Sequence, residues 1–189
     1  MPSGLEFAVF VHIVGVFAIA GSTSVLQVCL AMMRRAQAVG ELLPWTLVAS
    51  MAERAFLASS VVLLLSGGYL IQEADLSWGD GWIVVSALTL LVAGVVAPHF
   101  VSARIGEIHH AAGEAPAGPL PEPLVAQVED PVLHGIAHAL TTALLANVWN
   151  MVTKPGVAES LAAVVIAVVA GAGLAALSIQ RARQDGGGR

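Results

Sequence analysis

Charge is the scarcest ingredient of this 189-residue chain. Asp, Glu, Lys and Arg make up 11% of it, 57% of its residues are hydrophobic, and the mean hydropathy is +0.83. A soluble domain carries about a quarter charged residues, so a water-soluble fold is a poor candidate. Cysteine is nearly absent. Cys29 stands alone within an apolar run, which rules out an intrachain disulfide and leaves the thiol as a small hydrophobe. Basic residues form no cluster beyond Arg34-Arg35, and the net charge is −5, so there is no electrostatic footprint for nucleic acid. No basic n-region precedes the first apolar run, which is too long for a signal-peptide core and is expected to stay on the mature chain. Also missing are a nucleophile-base-orienter set, a glycine-rich phosphate loop and a zinc-protease helix, so hydrolytic chemistry has no support.

What is present is apolar sequence in lengths that match a bilayer. Spanning about 30 Å of hydrocarbon takes about 20 helical residues. Five stretches qualify, at about 7–33, 48–71, 81–103, 131–152 and 157–179. The fourth is the least apolar, since it carries His134, His138, Thr141, Thr142, Asn147 and Asn150. The expected fold is therefore all-α, a polytopic membrane bundle of five transmembrane helices forming a single domain. Residues 104–130, with His109-His110 and a proline-rich run after them, read as a flexible cytoplasmic linker.

Arginine placement orients the bundle. With the N-terminus outside and the C-terminus inside, Arg34, Arg35, Arg104, Arg181, Arg183 and Arg189 fall on the cytoplasmic side, with Arg54 near the inner end of span two. Only Lys154 falls outside, near the acidic loop from Glu73 to Asp80 and the interfacial aromatics Tyr69, Trp78, Trp82 and Trp149. Omitting span four would put the tail arginines outside. The chain is thus expected in a bacterial cytoplasmic membrane as a multi-pass protein.

Small residues mark contact faces in lipid. Ala163, Ala167, Gly171 and Ala175 form a four-residue-spaced stripe on span five, and the short Thr153–Gly156 connection makes span four its antiparallel neighbour. In span one, His12, Gly15, Ile19, Ser22 and Thr23 share one side, which should face protein.

Ionisable groups within hydrocarbon cost about 2.5–3.5 kcal/mol on insertion scales, so each is a candidate site residue. His12, beside Gly15, could ligate haem iron or a metal, the glycine leaving room for a planar ring, or could simply bond a neighbouring helix. His134 and His138, at i and i+4, place two imidazoles on one face, a spacing that can chelate a transition metal. His99, after Pro98 at the inner end of span three, could complete that set with help from His109 and His110, or hold a haem b with one span-four histidine. Equally, all five could occupy the cytoplasmic interface. Glu53 and Arg54 open span two, where they could meet a propionate or a lipid phosphate, or Arg54 could snorkel to the headgroups. Asn147 and Asn150 are expected to bond between helices.

Two strings, Val11-His12-Ile13-Val14-Gly15 and Met151-Val152-Thr153-Lys154-Pro155-Gly156, together with the layout of spans, resemble an uncharacterised bacterial family of predicted integral membrane proteins. More distantly, span one is similar to the copper-resistance D family and to the membrane-bound protoporphyrinogen oxidase of bacteria. That likeness implies a haem-ligand position at His12 and a matching basic residue at Arg54. The Pro-Arg and aromatic cluster of the oxidase, and the methionine-rich site of the copper family, are missing from this sequence.

Three function classes follow. One is a membrane protein binding haem b or a metal through intramembrane histidines, with a haem-linked oxidoreductase as its enzymatic form. Another is a small-solute or ion transporter or its accessory, suggested by the polar fourth span. The last is a structural subunit of a homo-oligomer or larger membrane complex, suggested by the small-residue stripe.

Overall fold

A computed structural model describes residues 3–186, with side chains to Gln180, so Arg181, Arg183 and Arg189 of the arginine count lie outside the described side chains. The described chain consists of helices α1 (Gly4–Met33), α2 (Val39–Glu73), α3 (Gly81–Val96), α4 (Ala103–Glu114), α5 (Glu122–Val128), α6 (Pro131–Thr153) and α7 (Val157–Gly186). A π-helical turn, Ala97–Ser102, joins α3 to α4 without a break. Helix is the only form in which a single span satisfies its own backbone in hydrocarbon. Five helical stretches are long and apolar enough to cross, namely α1, α2, α3 through α4, α5 through α6, and α7.

Local chemistry fixes the ends. Ser3 and Glu6 close a reciprocal capping box at the start of α1. Asp130 accepts from the Val132 amide ahead of Pro131, so α6 opens on a side-chain cap and a proline that needs no donor partner. Lys154 turns left-handed at φ 48° and ends α6, and α7 returns antiparallel from Val157. The hairpin closes tightly, because Gly81 lies against the Gly156–Val157 backbone, where a Cβ would collide.

The bundle has two antiparallel pairs, α1 with α2 and α6 with α7, with α3 packed against α6 and α7. The side of span one expected to face protein does so: Gly15, Ile19, Ser22 and Thr23 are buried and His12 is half-buried. The small stripe of α7 also lies as expected. Gly171 and Ala175 are buried, and Gly171 sits on the carbonyl of His138 and the Cα of Ala139 in α6.

Segment 104–130 differs from the flexible linker anticipated from its prolines. The helix from Gly81 to Glu114 has 34 residues, about 51 Å at 1.5 Å per residue, well beyond a core of about 30 Å. Helix α4 therefore projects past the span and packs on the first turns of α2 through Ile105, Ile108 and Ala112. Pro116, Pro119, Pro121 and Pro123 confine irregular backbone to a short stretch that is itself tied down. Val39 donates to the Gly118 carbonyl and Leu120 to that of Gln37, each at 3.0 Å. Leu124 and Val128 of α5 then seal a core with Leu30, Met33, Leu42 and Leu133.

Two outcomes test this packing. Amide hydrogens of Val39 and Leu120 are expected to exchange slowly in hydrogen–deuterium exchange; exchange at the rate of free peptide would restore the linker. Gly171→Val should lower stability by about 1–3 kcal/mol through overpacking against backbone, read as the thermal midpoint in detergent. Gly173→Val, which meets nothing within 4 Å, should be near neutral.

Candidate ligand cleft at the tryptophan end

The end of the bundle that carries Trp78, Trp82 and Trp149 is incompletely filled. A cleft of about 290 Å³ opens there between α1, α2, α3 and α6, at the small end of the range usual for small-molecule sites. Its walls are apolar: Leu63, Ile71, Ile83 and Leu90 contribute, Gly67 and Gly68 expose backbone, and Trp78 and Trp82 stand beside them. Besides the two tryptophans, the polar side chains on the lining are His12 and Ser86, and among the described residues none on the lining is charged.

His12 is held by α2. Its Nδ1 lies 3.0 Å from Ser66 Oγ, and that hydroxyl donates its only proton to the Val62 carbonyl at 2.6 Å. Ser66 can therefore only accept from the ring, so Nδ1 carries the proton and Nε2, on the other edge, keeps its lone pair. Room beside the imidazole comes from Gly67, where a Cβ would stand 3.4 Å from Cε1. Gly15, from which that room was expected, is instead taken up by the α1–α2 contact with Leu63.

Between α6 and α3, the Asn147 amide donates to the Ser86 carbonyl at 3.1 Å. A carbonyl accepts only, so the amide nitrogen faces it and Oδ1 is turned elsewhere. Both Ser86 Oγ and Asn147 Oδ1 are buried with no partner among the described residues, each residue being 5% exposed. Asn150 reaches the Ser160 carbonyl of α7 at 3.4 Å. Asn147 and Asn150 thus bond between helices, as their positions in span four suggested.

The remaining sequence candidates are dispersed around the opposite, arginine-bearing end. Buried His134 directs Nε2 to the Val128 carbonyl at 2.9 Å, while His138 directs Nδ1 to the His134 carbonyl at 2.9 Å. Each imidazole of the i, i+4 pair thus uses a different nitrogen on backbone. His99 is exposed, edge-on to Phe100. His109 pairs with Thr46 at 2.8 Å, and His110 is exposed beside Glu114. Among the described residues, no three His, Cys, Asp or Glu side chains converge as a metal set.

Adjacent Glu53 and Arg54 point to different sides of α2. Glu53 is 4% exposed and accepts from Ser102 of the π-turn at 2.7 Å, whereas Arg54 is exposed. Arg54 lies twelve residues before Ser66 on α2, about 18 Å along the axis, so it does not share a site with His12.

The sequence offered His12 but not its partners. Ser66, Gly67 and Ser86 are ordinary small residues of transmembrane helices, and only the crossing of α1 over α2, with α3 alongside, gives them a role. The Trp78–Asp80 loop and Lys154 do meet as anticipated at one interface, where Lys154 Nζ stands 5.7 Å over the Trp82 ring.

No curated protein and no solved structure matches this chain. Over residues 6–155, which hold the cleft, the π-turn and the capped end, it matches a family model, and the chain belongs to that family, described as predicted integral membrane protein (DUF2269).

Proposed function

We propose that this membrane protein binds a small, neutral, ring-bearing amphiphile in the tryptophan-end cleft, and that His12 holds the ligand's polar end. The observation that carries this reading is an imidazole whose Nδ1–H is committed to Ser66 and whose Nε2 lone pair is left beside an apolar, uncharged cleft. Uncharged walls favour a neutral ligand, since an ion moved there would lose its hydration without a partner. The tryptophans offer faces for a ring. With the arginine bias placing the opposite end in the cytoplasm, the cleft opens toward the outer leaflet, from which an amphiphile can enter without crossing the bilayer.

A second reading, haem b, rests on the same tautomer, because a ligating histidine ordinarily donates its other N–H to an acceptor such as Ser66. It is also what the distant likeness of span one to protoporphyrinogen oxidase implies for His12. The residues fit at the iron and not at the propionates, since among the described residues no arginine or lysine lines the cleft. Bound there, haem would supply a redox-active iron.

Energy transfer from tryptophan to 1-pyrenemethanol in nanodiscs distinguishes the two. Saturable transfer is expected in the wild type, weakened about tenfold in His12→Leu, a loss of about 1.4 kcal/mol; 1-pyrenecarboxylate should not compete. Transfer that does not saturate, or that is indifferent to His12→Leu, would sink the reading. A Soret band on purification that is lost in His12→Leu and kept in His138→Ala would establish haem instead.

A further inference from the structure

The hydroxyl that fixes the His12 tautomer is itself fixed by its own helix. In hydrocarbon a serine or threonine hydroxyl finds an acceptor in the carbonyl one turn back, and Ser59, Ser60, Thr141 and Thr142 all donate in this way at 2.7–2.9 Å. Ser66 does the same toward Val62 at 2.6 Å, so its oxygen meets His12 Nδ1, at 3.0 Å, as an acceptor. The ring proton is thereby held on Nδ1, and Nε2 can accept a hydrogen bond but cannot give one. His12 stands on the cleft lining, whereas Ser66 lies behind it. Ser86 also contributes to the lining but keeps its hydroxyl buried. What the cleft offers beside its tryptophans is therefore an acceptor.

We infer that the cleft takes an alcohol or phenol, a ring compound whose polar end donates a hydrogen bond, in preference to the aldehyde or ketone of the same skeleton, and that Ser66 is the positioning residue that sets this preference. This inference rests on the reading of the cleft as a binding site for a neutral amphiphile. A hydroxyl donates to Nε2, and the bond is strengthened by the low dielectric around it. A carbonyl turns lone pairs toward a lone pair and leaves both groups unmatched, which favours the alcohol by about tenfold. The preference comes from where one proton sits on the imidazole, and it needs no charge in the site. Without the Ser66 oxygen, Nδ1 loses its acceptor, the proton is free to move to Nε2, and the ring can then donate to a carbonyl.

The experiment uses the full chain in nanodiscs, with 1-pyrenemethanol and 1-pyrenecarboxaldehyde as probes and quenching of tryptophan emission as the readout. The alcohol is expected to bind the wild type about tenfold more tightly than the aldehyde. In Ser66→Ala the alcohol should weaken and the aldehyde strengthen, bringing the two within about threefold of each other. Loss of a mere tie between helices would not strengthen either ligand, and partition of the probes into lipid is the same for every variant. Ser66→Thr, whose hydroxyl is expected to back-bond as those of Thr141 and Thr142 do, should keep the wild-type ratio. Folding of each variant is checked by its thermal midpoint. Equal, His12-dependent affinity for the two probes in the wild type would mean that an indole N–H serves the carbonyl; it overturns the inference and leaves the cleft reading standing. A preference that survives Ser66→Ala, with both probes weakened alike, also overturns it. Failure of both probes to bind saturably overturns the inference and the cleft reading together.

Discussion

Two helices in hydrocarbon gain little by burying leucine against each other, because lipid tails are as apolar as leucine. Close backbone approach and hydrogen bonds between helices must hold such a bundle together, and several helix pairs here show one or the other. Helices α6 and α7 meet at Gly171, where the glycine rests on backbone, and again through Asn150 and Ser160. Gln27 of α1 donates to Thr141 of α6, Asn147 of α6 to Ser86 of α3, and Ser102 of the π-turn to Glu53 of α2. At the arginine end, Arg34 reaches both the hydroxyl and the carbonyl of Ser178, joining α1 to α7. Polar groups on several faces of α6, which lowered its hydropathy, are the points at which its neighbours are fastened.

These fastenings are distributed unequally between the two ends. At the arginine end, α4 and α5 fold back on the first turns of α2 and bury Ile105, Ile108, Leu124 and Val128 almost completely. At the tryptophan end α1, α2, α3 and α6 leave a cleft beside Gly67 and Gly68 of α2. The bundle is thus closed at one end and cleft at the other. That asymmetry weighs against reading the polar fourth helix as a conduit, since His134 and His138 spend their hydrogen bonds on backbone within the sealed half.

Much of the fold was legible because its signals are long. Twenty apolar residues identify a span regardless of context, and the Ala163–Ala175 stripe with a four-residue connection identified the α6–α7 pair. Residues 104–130 were misread for a definite reason: four prolines between Pro116 and Pro123 dominate the composition. The Ile105, Ile108 and Ala112 spacing that marks a helix face is short and weak beside them. The site was only half legible. His12 is conspicuous because an imidazole is rare at that depth, but its tautomer depends on Ser66, fifty-four residues away, and no periodicity links the two. Likewise the i, i+4 spacing of His134 and His138 places two rings on one face without saying which nitrogen each will commit to the backbone.

The size of the His12–Ser66 bond bears on why an imidazole stands there at all. Hydrogen bonds between helices in membranes average about 0.6 kcal/mol and reach about 1.7 at most. A leucine at position 12 would forgo that bond but would bury apolar surface at about 25 cal/mol per Å² against Leu63 and Leu64 wherever the cleft is closed to lipid. It would also carry no polar atom into hydrocarbon. The two terms are of the same size, so stability alone gives no reason for histidine over leucine. The distinguishing property of the imidazole is its second nitrogen, which makes no contribution to the fold and is aimed by the bond that the first one makes. Ser66 thus acts twice, as a weak tie between α1 and α2 and as the group that decides which nitrogen of His12 keeps its lone pair.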